Sequence, residues 1–308
     1  MLPSDTLLIT GSTGFVGKSL LDFINRQANF IEMPGKIILT SRSQPEQEKQ
    51  IIHARGKTQV ISKAMNLLDT WTIDQEPTHI LNLAADGSST AYTEEAGVQF
   101  LKIITELISF TKKQNSRVSV LHASSGACFG QNRDNLSDNP LWNKSTFLKY
   151  RVAGESLLID NCELYNLTIA RLFSFSGKFL LYKPHYAISS FINSAVLNKE
   201  IIVRGNPNSL RSFLSADDLS EWLLRSLELM PRDYFLEIGS SEATTLGQVA
   251  EFISFQTESN ITYENPQAEL DNYLPRPKRT MEILGVSEKS NWRDEIAKMI
   301  TEARSIHD

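Results

Sequence analysis

Cysteine is scarce: only Cys128 and Cys162 occur in 308 residues, and they lack any metal-ligand spacing, so neither a disulfide framework nor a cysteine-built metal site is expected. No apolar stretch reaches the roughly 20 residues of a membrane span, and the N-terminus Met1-Leu2-Pro3-Ser4-Asp5 shows neither a basic region nor an apolar region of an export signal. A cytoplasmic protein without membrane contact is the expectation. Long basic runs are missing and the net charge is −5, which argues against nucleic acid, because neutralising phosphates needs clustered Lys and Arg. Internal repeats and low-complexity segments are absent too. What remains is an ordinary globular composition, 41% hydrophobic and 22% charged, whose natural partner is a small molecule.

Short apolar runs alternate with helical stretches through the first half, the pattern of a parallel sheet covered on both faces by helices. Strands are expected at Thr6 to Thr10, Lys36 to Ser41, Thr58 to Ser62, His79 to Ala84, Val118 to Ser124 and Leu167 to Phe173. Crossover helices fit Lys18 to Gln27, Gly97 to Lys113 and Phe147 to Leu164. The fold class is therefore α/β, a Rossmann-type doubly wound parallel sheet with a smaller α/β substrate-binding lobe. After Phe173 the rhythm loosens. A helix is expected over Tyr186 to Leu197, another over Ser215 to Glu228 opened by Ser215, Asp217 and Asp218, and a short frayed tail over Ala303 to Asp308. We divide the chain into residues 1–174 with 211–241, the dinucleotide-binding domain, and residues 175–210 with 242–308, the second lobe.

The clearest chemical signal is Thr10-Gly11-Ser12-Thr13-Gly14-Phe15-Val16-Gly17, which runs from a strand into a helix. Gly11 suits a tight turn, Gly14 lets backbone approach a pyrophosphate, and Gly17 lets helix and strand pack closely, while the helix beginning near Phe15 points its positive dipole end at the loop. Thr13, Phe15 and Val16 complete the cradle. The end of the second strand chooses the dinucleotide: an acid there bonds a ribose 2′-hydroxyl, whereas a base accepts a 2′-phosphate. Ser41 and Arg42 stand there with no acid before Glu46, which selects NADP over NAD; the competing reading makes Arg42 a solvated loop cation. Asn66, followed by Leu67, is placed to bond an adenine amino group or lies on the surface.

Four ordered motifs resemble one family, the extended short-chain dehydrogenase/reductases, also known as the nucleotide-sugar epimerase/dehydratase family. They are the loop Thr10 to Gly17, the small-residue loop Asn82-Leu83-Ala84-Ala85, the segment Ser124-Ser125-Gly126-Ala127-Cys128-Phe129-Gly130, and Arg211-Ser212-Phe213-Leu214 leading to Asp218. The resemblance implies bound NAD(P), with Ala84 and Ala85 against it, and a nucleotide-linked sugar substrate. It also implies a catalytic Ser, Tyr and Lys, and a homodimer in many members. Ser125 takes the Ser position and would bond a reacting sugar oxygen. Anchoring on Ala153-Gly154-Glu155 puts Phe147 at the Tyr position and Arg151 at the Lys position. Phe147 has no ionisable proton, and Arg151 could bind ribose hydroxyls but does not exchange protons near neutrality.

Tyr150, three residues after Phe147 on the same expected helix, is one substitute proton donor; Tyr92, Tyr182, His185 and Tyr186 are others. Gly126 and Ala127 stand where family dehydratases carry an Asp-Glu pair, which disfavours dehydration and leaves epimerisation or keto-sugar reduction. By position Arg211 inherits contact with the substrate diphosphate, the alternative being an ion pair with Asp217 or Asp218, and Ser174 replaces a substrate-binding Asn. Arg276, Lys278 and Arg279 lie near where a second phosphate-binding Arg is usual. Two functional readings stand: an NAD(P)-dependent enzyme with an unconventional proton donor, and a catalytically silent dinucleotide-binding homologue that senses a nucleotide or supports a partner.

Overall fold

The computed structural model describes residues 1–42, 47–84, 93–129, 145–183, 185–231 and 235–307. In chain order, β1 (Thr6–Thr10) leads into α1 (Phe15–Gln27), then β2 (Lys36–Ser41), β3 (Gln47–His53), β4 (Gly56–Ala64), β5 (His79–Asn82), α2 (Glu94–Lys112), β6 (Val118–Ser125), α3 (Thr146–Asp160) and β7 (Tyr165–Leu172). The later elements are β8 (Phe175–Ser176), α4 (Ala187–Val196), β9 (Ile201–Val203), β10 (Leu210–Arg211), β11 (Leu214–Ser215), α5 (Ala216–Leu229), β12 (Phe235–Ile238), β13 (Thr244–Thr245), α6 (Leu246–Thr257), β14 (Ile261–Tyr263), α7 (Lys278–Leu284) and α8 (Trp292–His307).

The chain forms two compact units, Met1–Arg171 with Ser220–Leu236, and Leu172–Leu219 with Glu237–Asp308. Among the described residues the first carries an eight-stranded sheet of order β12-β7-β6-β5-β1-β2-β4-β3. β1 runs parallel to β2 and β5, β2 parallel to β4, and β5 parallel to β6. From β1 the chain moves outward through β2 and β4 and then returns to the other side of β1 as β5. That reversal is a topological switch point, the place where open α/β sheets bind ligands beyond the carboxyl ends of their strands. The inner strands are near-continuous apolar runs because helices cover both faces: Leu7, Leu8, Ile9, Ile37, Ile80 and Leu81 have no exposed surface.

α1 turns Leu20, Phe23 and Ile24 inward, and α2 does the same with Phe100, Ile104, Leu107 and Phe110. Thr93 caps α2 by accepting a hydrogen bond from the Ala96 N–H at 3.2 Å, and Glu94 and Glu95 favour its positive end. β3 was not expected; it pairs antiparallel with β4 around Gly56, which sits at φ 140°. It forms the outer edge of the sheet, where its polar run Gln47 to Gln50 is exposed.

In the second unit β9 pairs with β14, β10 with β13 and β8 with β11. Ser215 caps α5 as expected, accepting from the Asp218 N–H at 3.0 Å. The expected frayed tail is corrected: residues up to His307 belong to α8, and Ile296, Met299, Ile300 and Ala303 are all buried. Their spacing of three and four places one apolar stripe on the helix. Asp308 lies outside the described residues.

Candidate functional site

The turn between β1 and α1 is built by backbone. Gly11 has φ 69°, and a Cβ there would come within 2.8 Å of the Leu83 carbonyl oxygen and 2.9 Å of the Ala84 nitrogen, so the segment that follows β5 excludes any side chain. At Gly17 a Cβ would stand 2.6 Å from the Ser12 backbone, which is how closely α1 lies against the end of β1. Gly14 differs. Among the described residues a Cβ there would meet only the Gly11 carbonyl oxygen, at 3.3 Å, a far less crowded setting than at Gly11 or Gly17. Ser12 ties the turn down: its N–H and hydroxyl both donate to the Thr40 carbonyl at the end of β2, at 3.4 and 3.2 Å. Thr13 is exposed, and Gly14, Phe15 and Val16 are half-buried at the start of α1, where first-turn N–H groups lack carbonyl partners within the helix. This open, donor-lined turn at the positive end of a helix fits a pyrophosphate.

Around it, Ser41 is buried and its carbonyl accepts from the Met65 N–H at 3.0 Å, while Arg42 is exposed beyond it. Asn66 closes its own turn, donating to Asp69 at 3.0 Å and accepting from the Leu68 N–H at 3.3 Å, and Leu67 is a core residue. Ala84 is buried against the turn. Ala85, Tyr92 and Gly130 lie outside the described residues.

Beneath the turn runs a buried chain that sequence reasoning missed. Thr10 and Asn82 are register partners on β1 and β5, and the Thr10 hydroxyl donates to Asn82 Oδ1 at 2.6 Å. That fixes the amide, so Asn82 Nδ2 donates to Nδ1 of His122 on β6 at 3.1 Å, and the imidazole carries its proton on Nε2. Nε2 is buried without a hydrogen-bond partner among the described residues. Burial first, and then the Arg151 cation, hold the His122 pKa down to about 3.

Phe147 and Arg151, expected at the positions of the catalytic Tyr and Lys, lie close by on α3. The Arg151 guanidinium is buried, 4.4 Å from the Phe100 ring centroid and 4.8 Å from that of Phe147. It is a cation enclosed by aromatic faces. Tyr150 is directed toward α2: its ring occupies the space a side chain on Gly97 would need, and its hydroxyl donates to Glu94, which raises its pKa. Ser125 ends β6 half-buried, its hydroxyl accepting from the Ala127 N–H at 3.2 Å as the chain enters the short 3-10 helix Gly126–Phe129. The structure therefore brings Phe147 and Arg151 together and directs Tyr150 elsewhere.

A buried ion pair braces the same region. Arg171 on β7 donates to Glu155 on α3 through Nε at 3.0 Å and Nη2 at 2.5 Å. Its guanidinium lies over the rings of Phe129 and Phe235, 4.3 and 4.1 Å from their centroids, which ties it to the segment that follows Ser125. Burial pushes the neighbouring Cys128 thiol up to about 12, leaving it unreactive near neutrality.

In the second unit Arg211 pairs with Asp271 at 2.7 Å; the expected alternative partner Asp218 instead accepts from the Ser215 hydroxyl and the Lys289 N–H. Ser174 is half-buried and its carbonyl accepts from the Leu214 N–H at 3.1 Å. Tyr182 and Tyr186 are exposed, and the His185 and Tyr186 rings lie 4.3 Å apart. Arg276, Lys278 and Arg279 are exposed at the start of α7. Among the described residues no cluster of His, Cys, Asp and Glu could hold a metal ion, and no helix is long and apolar enough to cross a membrane.

The sequence profile of the NAD dependent epimerase/dehydratase family matches residues 7–237. Protein CapI of Staphylococcus aureus is 25% identical over 240 residues, 71% of this chain and 68% of CapI. The fold matches the UDP-glucuronic acid 4-epimerase of Bacillus cereus, solved with UDP-glucuronic acid and NAD, with a TM-score of 0.76 at 15% identity, covering 98% of this chain and 99% of that one. It also matches RMD of Pseudomonas aeruginosa, solved with NADPH, with a TM-score of 0.74 at 16% identity and 99% of both chains covered.

Proposed function

The chain belongs to the NAD dependent epimerase/dehydratase family, and from that premise we propose that it binds a nicotinamide dinucleotide, NADP(H) in preference to NAD(H), and acts on a nucleotide-linked sugar by epimerisation or keto-sugar reduction. The observation that carries the proposal is the β1–α1 turn: a left-handed Gly11 under the segment that follows β5, a tightly packed Gly17, and a Gly14 at the helix N-terminus that among the described residues is crowded only by the Gly11 carbonyl oxygen. With its pyrophosphate on that turn, the dinucleotide would supply a hydride donor or acceptor through its nicotinamide. Arg42 would pair with a 2′-phosphate, and no carboxylate at the end of β2 competes for a 2′-hydroxyl. Ser125 would hold a sugar oxygen by hydrogen bonding. Arg151 keeps a fixed positive charge where the family has Lys, so it can hold ribose hydroxyls but not relay a proton.

Two features of related structures support this reading: the Bacillus epimerase was solved with NAD and a UDP-sugar, and RMD with NADPH. Gly126 and Ala127 provide no carboxylates for eliminating water. The stack of Phe147, Arg151 and Phe100 favours the second reading, a silent dinucleotide-binding homologue, because that aromatic enclosure replaces the usual phenol and amine.

Fluorescence titration of the purified protein with NADPH and NADH tests the cofactor assignment. NADPH is expected to bind more tightly, with Arg42→Ala weakening it by about 1 to 3 kcal/mol and leaving NADH nearly unchanged. Equal or reversed affinities overturn the preference, and no binding of either overturns the proposal. Epimer formation or NADPH oxidation with UDP-sugars then separates an enzyme from a silent homologue.

A further inference from the structure

We propose that the Asp271 carboxylate is an internal stand-in for substrate phosphate on Arg211, and that it sets the affinity of the second unit for nucleoside diphosphates. This inference rests on the nucleotide-sugar reading above and identifies a residue that reading does not assign.

The Arg211 guanidinium has a fixed side and an exchangeable side. Nη1 donates to the carbonyl of Leu210 at 3.0 Å and to the main-chain carbonyl of Asp271. Nη2 donates to Asp271 Oδ2 at 2.7 Å. The two side chains differ in exposure, 18% for Arg211 and 75% for Asp271, so the cation is enclosed and its partner carboxylate faces water. A guanidinium edge accepts a carboxylate or a phosphate by the same hydrogen-bond geometry, and a phosphate brings more charge. While the carboxylate is in place, the pair carries no net charge to attract a diphosphate.

The carboxylate is not needed to keep the segment in position. The Asp271 N–H donates to Ser209 Oγ at 3.0 Å, the Leu210 N–H to Asn272 Oδ1 at 2.9 Å, and the Tyr273 N–H to the Leu210 carbonyl at 2.9 Å. On the other side β10 is held by pairing with β13 through Leu210↔Thr245 and Arg211↔Thr244. The Asp271 side chain can therefore swing into water while backbone contacts keep Arg211 aimed. With its carboxylate partner this exposed, the pair is screened by water and weak enough for a dianion to displace.

The test is calorimetric titration of UDP into NADPH-saturated full-length protein, comparing wild type, Asp271→Asn, Arg211→Gln and the double variant. Asp271→Asn is expected to bind UDP about two- to fivefold more tightly, the range that an exposed ion pair represents. The gain should vanish in the Arg211→Gln background. Asp271→Ser, which also keeps the main-chain bonds, should repeat it. Unchanged or weaker binding in both Asp271 variants overturns the inference, and so does a gain that persists without Arg211, because that would be a general charge effect. If wild type binds UDP and the Asp271 variants match it, only this inference falls; if NADPH binds but UDP binds to no variant, the nucleotide-sugar reading falls with it.

Discussion

The turn from β1 into α1 and the run from β6 into α3 sit in the same sheet-bearing unit, but they are built by opposite means. In the first, the work is done by backbone: Gly11, Gly14 and Gly17 matter for the side chains they lack, and the neighbours that constrain them are main-chain atoms of Ser12, Leu83 and Ala84. In the second, side chains decide everything. Phe147, Arg151, Phe100, His122, Glu155 and Arg171 come from α2, α3, β6 and β7 and acquire their properties from side-chain neighbours. A backbone-built site tolerates change everywhere except at its glycines, whereas a side-chain-built site can alter its chemistry without altering the fold around it.

The largest effects should come from breaking the turn in two ways. Gly17→Val pushes side-chain atoms into the Ser12 backbone and should lower stability by about 3 kcal/mol in denaturant unfolding. Gly14→Val meets only the Gly11 carbonyl oxygen among the described residues, so it should cost less stability than Gly17→Val while dinucleotide binding is lost. A Gly14→Val protein that binds NADPH normally would place the cradle elsewhere.

The same contrast decides what was legible in the sequence. β1 and β2 run over the expected residues because their strands are buried on both faces, which makes them continuous apolar runs, and Gly17 was legible because the Ser12 backbone that crowds it is five positions away, whereas the contact of Gly11 with Leu83 and Ala84 is tertiary. β3 was missed: its Gln-Glu-Lys-Gln run is exposed at the sheet edge and its pairing with β4 is a tertiary fact. The end of the C-terminal helix, from Ala303, was taken for a tail because that turn is polar apart from Ala303 and Ile306, although Ala303 continues the stripe of Ile296, Met299 and Ile300. Asn82 was quoted as part of a loop motif, but nothing local pairs it with a histidine 40 positions away. Arg211 was expected to contact diphosphate or a nearby acid, and its partner Asp271 lies 60 positions away.

The next prediction tests the side-chain region. If only the proton shuttle has been lost, the double substitution Phe147→Tyr with Arg151→Lys should raise turnover of a nucleotide sugar on the order of 100-fold, since it supplies a phenol beside a cation that stabilises the phenolate. Part of the gain will be offset by the lost stacking of Arg151 on Phe100. A double variant that binds cofactor and turns over nothing favours the silent homologue.

His122 gives a smaller effect with a defined sign. Its pKa in the folded protein is about 3, below the 6.5 of the unfolded chain, so between those values the unfolded state binds the extra proton. The stability this represents is present above pH 6.5 and is lost as pH falls toward 3, by up to about 1.4 kcal/mol per pH unit. His122→Gln should flatten that slope in urea unfolding at pH 7, 5.5 and 4.5. A variant with the wild-type slope would show that His122 titrates normally.

The smallest expected effect is at Tyr150, and it separates the two kinds of region most directly. Its ring fills the space left by Gly97, and its hydroxyl donates to an exposed Glu94, which raises the phenol pKa and makes it a poorer source of phenolate. Tyr150→Phe keeps the ring and removes one solvent-exposed hydrogen bond, so its effect on stability should be the smallest of these variants. Cofactor affinity should not move. If the residue serves only to pack α3 on α2, any turnover of a nucleotide sugar will also be unchanged. Loss of turnover with cofactor affinity intact would instead require the helix to rotate its hydroxyl away from Glu94 during the reaction, and would make this tyrosine the donor that Phe147 cannot be.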